Sequence, residues 1–318
     1  MELFLSTISF LLIYTSILTV VGFGGMFSEK SGTIALSLEG SMTIGALFAC
    51  IMMNILPASL PPFILCVLVI LSAVLGGLIY SMLLAVASIT FKANQTLVGT
   101  ALNILANALA VVIAKVVTKS SELPAGQSII SFTKFYEYFN IPFFGYSTVK
   151  FNWLIIVILV LIPIVWFVLN KTSFGLRLSS CGENPSASDS LGINVTKTRY
   201  IGVGLSGMFA GLGGLALVLT GGEWDFAQGA NGFGFLALAV LIFGQWKPIM
   251  IFVGALVFGL FKTISVVYPS INFLAALNIS SYFYLALPYV VCLIALIFTS
   301  KKASGPKASG VPYDKGKR

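Results

Sequence analysis

Asn103 and Asn107 stand four residues apart in NILANAL, inside an apolar run near 96–114. On a helix that spacing puts both carboxamides on one face. Carboxamides offer donors and acceptors without the desolvation cost of a charge. Two readings are open: the pair bonds a neighbouring helix, or it lines a path for a neutral polar solute. Gln95 lies two turns earlier, at the cytoplasmic entrance. Glu39 opens another apolar run, in SLEGSMTIGALF. Near the cytoplasmic interface, a first-turn acid complements the positive end of its helix. The other reading places Glu39 in a gate or a subunit contact. Covalent chemistry has no comparable candidates. The chain has no histidine, and most of its ten carboxylates lie in loops. No nucleophile, base and orienting group can be assembled, so no catalytic residue is assigned. GxxxxGK[ST] does not occur, so the chain does not itself cradle ATP phosphates. Four cysteines are widely spaced without a CxxC, which indicates neither a zinc site nor a disulfide framework.

The elements that carry these residues follow from composition. Of 318 residues 58% are hydrophobic and 9% charged, and mean hydropathy is +1.02. Soluble domains are nearer a quarter charged, so lipid is the solvent for most of this chain. A soluble enzyme, a disordered tail and a nucleic-acid binder are excluded. The net charge of +8 sits at scattered loop positions and forms no basic face. Apolar runs fall near 4–27, 35–53, 62–88, 96–114, 153–169, 200–220, 232–244, 249–267 and 281–299. About 20 residues span a bilayer, so nine transmembrane helices are expected. The first run has no basic n-region, only Glu2, and no cleavage site, so it stays as a helix. The 232–244 run is short, a half-helix or re-entrant segment. If all nine cross with the N-terminus outside, thirteen basic residues fall in the cytoplasm and four outside, with Lys262 inside a span. That bias obeys the positive-inside rule.

The expected layout is an all-α polytopic domain over 1–300. A cytoplasmic loop covers about 170–199. A long external loop covers about 115–152, whose aromatics read as an interfacial or re-entrant segment. The tail 301–318, rich in Gly, Pro, Ser and Lys, reads as a flexible cytoplasmic strip near anionic headgroups. GVGLSGMFAGLGG places Gly207 and Gly211 four apart, which lets helix backbones approach closely. GGEWDFAQGANGFGF is glycine-rich at membrane depth, tolerated where it lines a cavity. Its Glu223, Trp224 and Asp225 read as an external gate or a docking surface for an extracellular partner, or as an ordinary turn with an interfacial tryptophan.

Several stretches resemble the permease subunits of bacterial ABC importers. Gly182-Glu183-Asn184-Pro185, Ala187, Leu191-Gly192-Ile193 and the glycine-rich span from Ser206 are similar to the branched-chain amino acid, ribose and nucleoside permease family. Four more resemble its nucleoside branch: Phe27-Ser28-Glu29-Lys30-Ser31-Gly32; Leu38-Glu39-Gly40 with Met42 and Gly45-Ala46; Gly232-Phe233-Gly234-Phe235 through Trp246 and Pro248; and Gly310-Val311-Pro312-Tyr313-Asp314. Ala35-Leu36-Ser37 stands where that branch has Asn-Ile-Gly, and Ser188 replaces an alanine.

The resemblance implies a permease pair in the bacterial plasma membrane, with a second, non-identical permease completing the path. It implies cytoplasmic ATPases that bind ATP and magnesium, a lipid-anchored binding protein outside, and a nucleoside as substrate. No cofactor is expected in this chain itself. The 170–199 loop would dock on the ATPase, with Arg177, Glu183, Asn184 and Asp189 making polar contacts and Gly182 and Gly192 shaping its ends. By their polarity and position, not by the resemblance, Asn103, Asn107 and Glu39 would line the substrate path. The rival readings are an ABC permease for a simple sugar or a branched-chain amino acid, and an ion-coupled secondary transporter.

Overall fold

The computed structural model describes residues 2–57, 60–118, 129–132, 137–143, 146–221, 223–271, 274, 279–299 and 305–314. Its helices are α1 (Glu2–Lys30), α2 (Leu38–Ile55), α3 (Pro62–Ala85), α4 (Gln95–Thr118), α5 (Leu154–Lys171), α6 (Ser173–Glu183), α7 (Pro185–Ser190), α8 (Val195–Val218), α9 (Phe233–Phe243), α10 (Pro248–Val267) and α11 (Ser281–Thr299). Seven are long and apolar enough to cross a membrane, and α9 and α11 supply two shorter apolar segments. Among the described residues these nine apolar helices make up the expected all-α polytopic bundle.

At the centre α8 packs against α1, α2 and α3. Glycine makes this possible. A Cβ on Gly77 would strike the Gly207 carbonyl oxygen, and one on Gly207 the Gly77 carbonyl. Gly211 lies against Ala73 O, Gly45 against the Gly211 Cα, and Gly214 against Met42 O. The backbones touch, and dispersion between them holds the helices together where lipid offers no hydrophobic drive. Around this core, α4, α5 and α11 leave Ile104, Val116, Ile156, Val160, Leu293 and Ile297 exposed, as helices facing lipid do.

Two elements depart from the expected layout. The described parts of the 115–152 loop include strands β1 (Ile129–Ser131), β2 (Asn140–Phe143) and β3 (Tyr146–Asn152). β2 pairs antiparallel with β3, and β1 with β4 (Glu223–Asp225). The described parts of the loop thus form small ribbons, which suit its β-branched and aromatic residues. Within the tail, 305–314 is docked and not a loose strip. Ala308 N donates to Gly182 O at 2.8 Å, Gly310 N to Gly32 O at 3.3 Å, and Arg199 Nη1 to Val311 O at 2.9 Å. Lys92 and Asp314 form an ion pair at 2.9 Å. Composition signalled a solvated strip, but backbone groups of neighbouring elements bind it. Residues 301–304 and 315–318 lie outside the described residues.

These contacts gather Lys30, Lys92, Gly182 and Arg199 at one end of the bundle. There Trp246 Nε1 also donates to Glu29 at 2.7 Å. The β1–β4 ribbon marks the opposite end.

Candidate functional site

Two helices begin inside the bundle. α4 starts at the Lys30 end, where Gln95 Oε1 accepts from Ile34 N at 2.8 Å. Asn103 stands eight residues further, about 12 Å along the axis at 1.5 Å per residue. There its Oδ1 accepts from Gly40 N and its Nδ2 donates to Leu36 O, both at 2.8 Å. The first turn of α2 therefore lies about 12 Å along α4 from Gln95, inside the bundle. Glu39 belongs to this turn and is buried.

α9 has 11 residues, about 16 Å of helix, which covers half a membrane. Irregular backbone precedes it: a 3-10 turn at Phe226–Gln228, then positive φ at Gly229 (56°), Asn231 (53°) and Gly232 (79°). Glycine at 229 also meets a steric demand, since a Cβ there would strike the Asn107 carboxamide.

A helix start inside a membrane leaves N–H groups without water. Neither start caps itself. Ser37 makes no side-chain cap bond to α2, and Gly232 has no side chain to offer α9. Both are capped by a neighbour. Asn103 caps α2 through Gly40 N. Glu39 caps α9: Oε1 accepts from Gly232 N at 2.8 Å and Oε2 from Gly234 N at 2.6 Å. The acid thus complements the positive ends of two helices, its own and α9. Such charge-assisted bonds are about twice as strong as neutral ones.

Where the two starts meet, a cavity of about 610 Å³ opens. It is lined by Glu39, Thr100, Asn103, Ile104, Asn107, Gln228, Asn231, Gly232, Phe235 and Tyr289. The three residues singled out for a path therefore share one cavity, but their polar atoms are unequally committed. Asn103 spends both ends of its amide on the 36–40 segment, and Glu39 spends both oxygens on α9. Among the described residues, Asn107 bonds through its carbonyl oxygen alone, accepting from Thr43 Oγ1 at 3.4 Å. Sequence reading missed Gln228, Asn231, Phe235 and Tyr289. The first three lie in the glycine-rich stretch that was flagged as cavity-lining backbone. Tyr289 carried no signal, being one aromatic among many in α11.

This asymmetry predicts different outcomes for two leucine substitutions. N103L strands the Gly40 N–H and lowers the yield of folded chain. N107L leaves folding intact and lowers solute flux severalfold. Size-exclusion profiles with uptake per folded molecule separate the two, and full flux in N107L would remove Asn107 from the path.

At the opposite end, β4 holds Glu223, Trp224 and Asp225 against β1, with Ile130 opposite Trp224. Trp224 Nε1 donates to Gly229 O at 3.2 Å, and Asp225 Oδ1 accepts from Ala227 N at 3.0 Å. A recess of about 210 Å³ lies here, and Gln228 lines both this recess and the central cavity.

At the Lys30 end the 170–199 stretch forms α6 and α7. Thr172 caps α6 by accepting from Gly175 N at 3.3 Å, and Asn184 caps α7 by accepting from Ala187 N at 3.0 Å. Gly182 is buried against Lys30 O, which leaves no room for a Cβ. Gly192 takes φ 80° and turns the chain toward α8. Burial pushes the Cys181 thiol above its ordinary range. Glu183 is exposed. Arg177 and Gly192 line a groove of about 320 Å³; Asp189 and Gly192 line another of about 750 Å³ that Tyr313 and Asp314 complete. Two large apolar side chains protrude beside them, Leu191 at 82% exposure and Leu176 at 67%. Among the described residues no group of three or more His, Cys, Asp or Glu is placed to hold a metal ion.

The fold is a polytopic bundle of apolar helices with a cavity lined by carboxamides and aromatic and aliphatic side chains. Residues 7–299 match the family described as branched-chain amino acid transport system / permease component, and the chain belongs to that family. It is 38% identical over 316 residues, 96% of each chain, to the guanosine ABC transporter permease protein NupQ of Bacillus subtilis. It is 38% identical over 319 residues, again 96% of each, to the nucleoside ABC transporter permease protein NupC of Lactococcus lactis. A solved metal-chelate type ABC transporter in an inward-facing conformation superposes with TM-score 0.51 at 16% identity, covering 92% of this chain and 85% of that one. The chain is thus the permease subunit of an ABC importer.

Proposed function

We propose that this subunit forms half of a nucleoside path through the membrane, and that the carboxamide-lined cavity is its central station. The observation that carries the reading is that cavity: four carboxamides and no basic side chain among the described residues that line it. Such a wall suits a neutral solute rich in donors and acceptors. The similarity to guanosine and nucleoside permeases supports nucleosides among such solutes.

The Lys30 end faces the cytoplasm in this reading, with the N-terminus outside and the C-terminus inside. The positive-inside bias supports that orientation. The cytoplasmic ATPase, which holds ATP and magnesium, docks on α6 and α7. Protruding Leu176 and Leu191 supply apolar anchors, and Arg177, Glu183 and Asp189 supply the polar surround. A second, non-identical permease closes the open side of the cavity. A lipid-anchored binding protein delivers solute over the Glu223–Asp225 ribbon, beside the recess that Gln228 shares with the cavity. ATP-driven closure of the ATPases rocks the two permeases as packed bodies between outward- and inward-open states.

The test is uptake of radiolabelled guanosine, adenosine, uridine, ribose and leucine in cells with and without this chain, and with and without its ATPase. Nucleoside uptake that needs both is expected. Ribose or leucine uptake in its place overturns the substrate assignment. Uptake that survives loss of the ATPase but collapses with the ion gradient overturns the ATP-driven mechanism.

A further inference from the structure

Two aromatic rings of the central cavity have no role in the path as described. Phe235 sits in the first turn of α9 and is 48% exposed. Tyr289 reaches over from α11 and donates its hydroxyl to Asn231 O at 3.1 Å. Exposed phenylalanines on outer faces simply meet lipid. Phe235 instead lines the same cavity as the carboxamides, while its helix neighbours Phe233, Gly234 and Leu236 are buried. Its position is fixed, because Glu39 holds the N–H of the preceding residue at 2.6 Å. The wall is mixed, with Phe235, Ile104 and Tyr289 beside four carboxamides, and an exposed ring in it is unfavourable against water and favourable against a flat solute that covers it. A solute that satisfies the whole wall therefore has a π face for the ring and a hydrogen-bonding edge for the amides. A nucleobase has both. A pentose or an aliphatic amino acid has no π face, and a phosphorylated nucleotide would meet no counter-charge here.

We propose that Phe235 is the stacking platform for the base of the transported nucleoside, with the Asn107 and Gln228 carboxamides reading the edge of that base. This rests on the nucleoside reading above. Phe235 is then a specificity-determining residue, and Glu39 is a positioning residue that acts through it.

The experiment uses the assembled complex of both permeases and the ATPases in nanodiscs, without the binding protein. Equilibrium binding of tritiated guanosine is measured for the unaltered complex, F235L and F235W, with thermal melting of each. Leucine keeps apolar bulk but removes the π face. F235L is expected to weaken guanosine binding about tenfold, the size of one lost base–aromatic stack, with unchanged melting. F235W keeps the affinity, and guanosine monophosphate does not compete. Guanosine binding in F235L equal to that of the unaltered complex overturns the platform. So does equal loss in both variants with lowered melting, which would mark a packing role. An unaltered complex that binds no nucleoside overturns the nucleoside reading together with the platform.

Discussion

Replacing Glu39 with alanine is expected to cut uptake per folded transporter to a tenth or less. The carboxylate holds the start of α9 through Gly232 N and Gly234 N. The residue at the cap position, Gly232, has no side chain to take over. Hydrogen bonds to a charged group contribute about 1.5–3 kcal/mol each, and about 1.4 kcal/mol is a tenfold change in an equilibrium. Losing two therefore populates arrangements in which α9 leaves its seat and the cavity wall is lost with it. E39Q should fall between. Its amide oxygen can accept one N–H, while its NH2 faces the other donor and the charge that complements two helix dipoles is gone. E39D keeps the charge but is one methylene too short to hold both groups. Transport assays normalised to detergent-extracted, monodisperse protein measure this. Full uptake in E39A would show that α9 is held by packing alone.

The second large effect is on assembly. G211L is expected to remove nearly all folded chain from the membrane. A Cβ at 211 would strike the Ala73 carbonyl of α3, and Gly45 of α2 already lies against the Gly211 Cα. The obstacle is backbone on both sides, which cannot rotate away. Overpacking of a tight core typically costs 1–3 kcal/mol, occasionally more, and here three helices would have to part. G211A should lose a smaller but measurable fraction. G204A, on the same helix, meets only the flexible ends of Met82 and Leu78 and should be tolerated. Fluorescence-detected size exclusion of tagged variants compares all three. Normal yield of G211L would disprove direct backbone contact among α2, α3 and α8.

Sequence by itself determined the solvent, the apolar helices and the central seam. Each is a local consequence of composition: apolar runs long enough to span, charges that cannot be buried, and Gly207-xxx-Gly211 at a spacing that permits contact. It also marked Glu39, Asn103 and Asn107, because polar groups at membrane depth need partners. What it left open was which partners. Glu39 reads as a cap for its own helix, since it stands in that helix's first turn. Only the tertiary structure shows that α2 starts deep in the bundle and that α9, 193 residues away along the chain at Gly232, takes the carboxylate. Asn103 and Asn107 look equivalent on one helix face. Packing separates them, because the 36–40 backbone consumes one amide and leaves the other open to the cavity. Phe235 shows the same limit: an apolar side chain in an apolar run carries no sign of whether it meets lipid, core or cavity. The tail inverted its composition for a related reason. Its glycines and prolines read as a solvated strip, while docking depends on the backbone groups of Gly32 and Gly182 and on the Arg199 guanidinium. Hydrophobic pattern is written residue by residue and survives in one dimension; the pairing of polar groups across a fold is not.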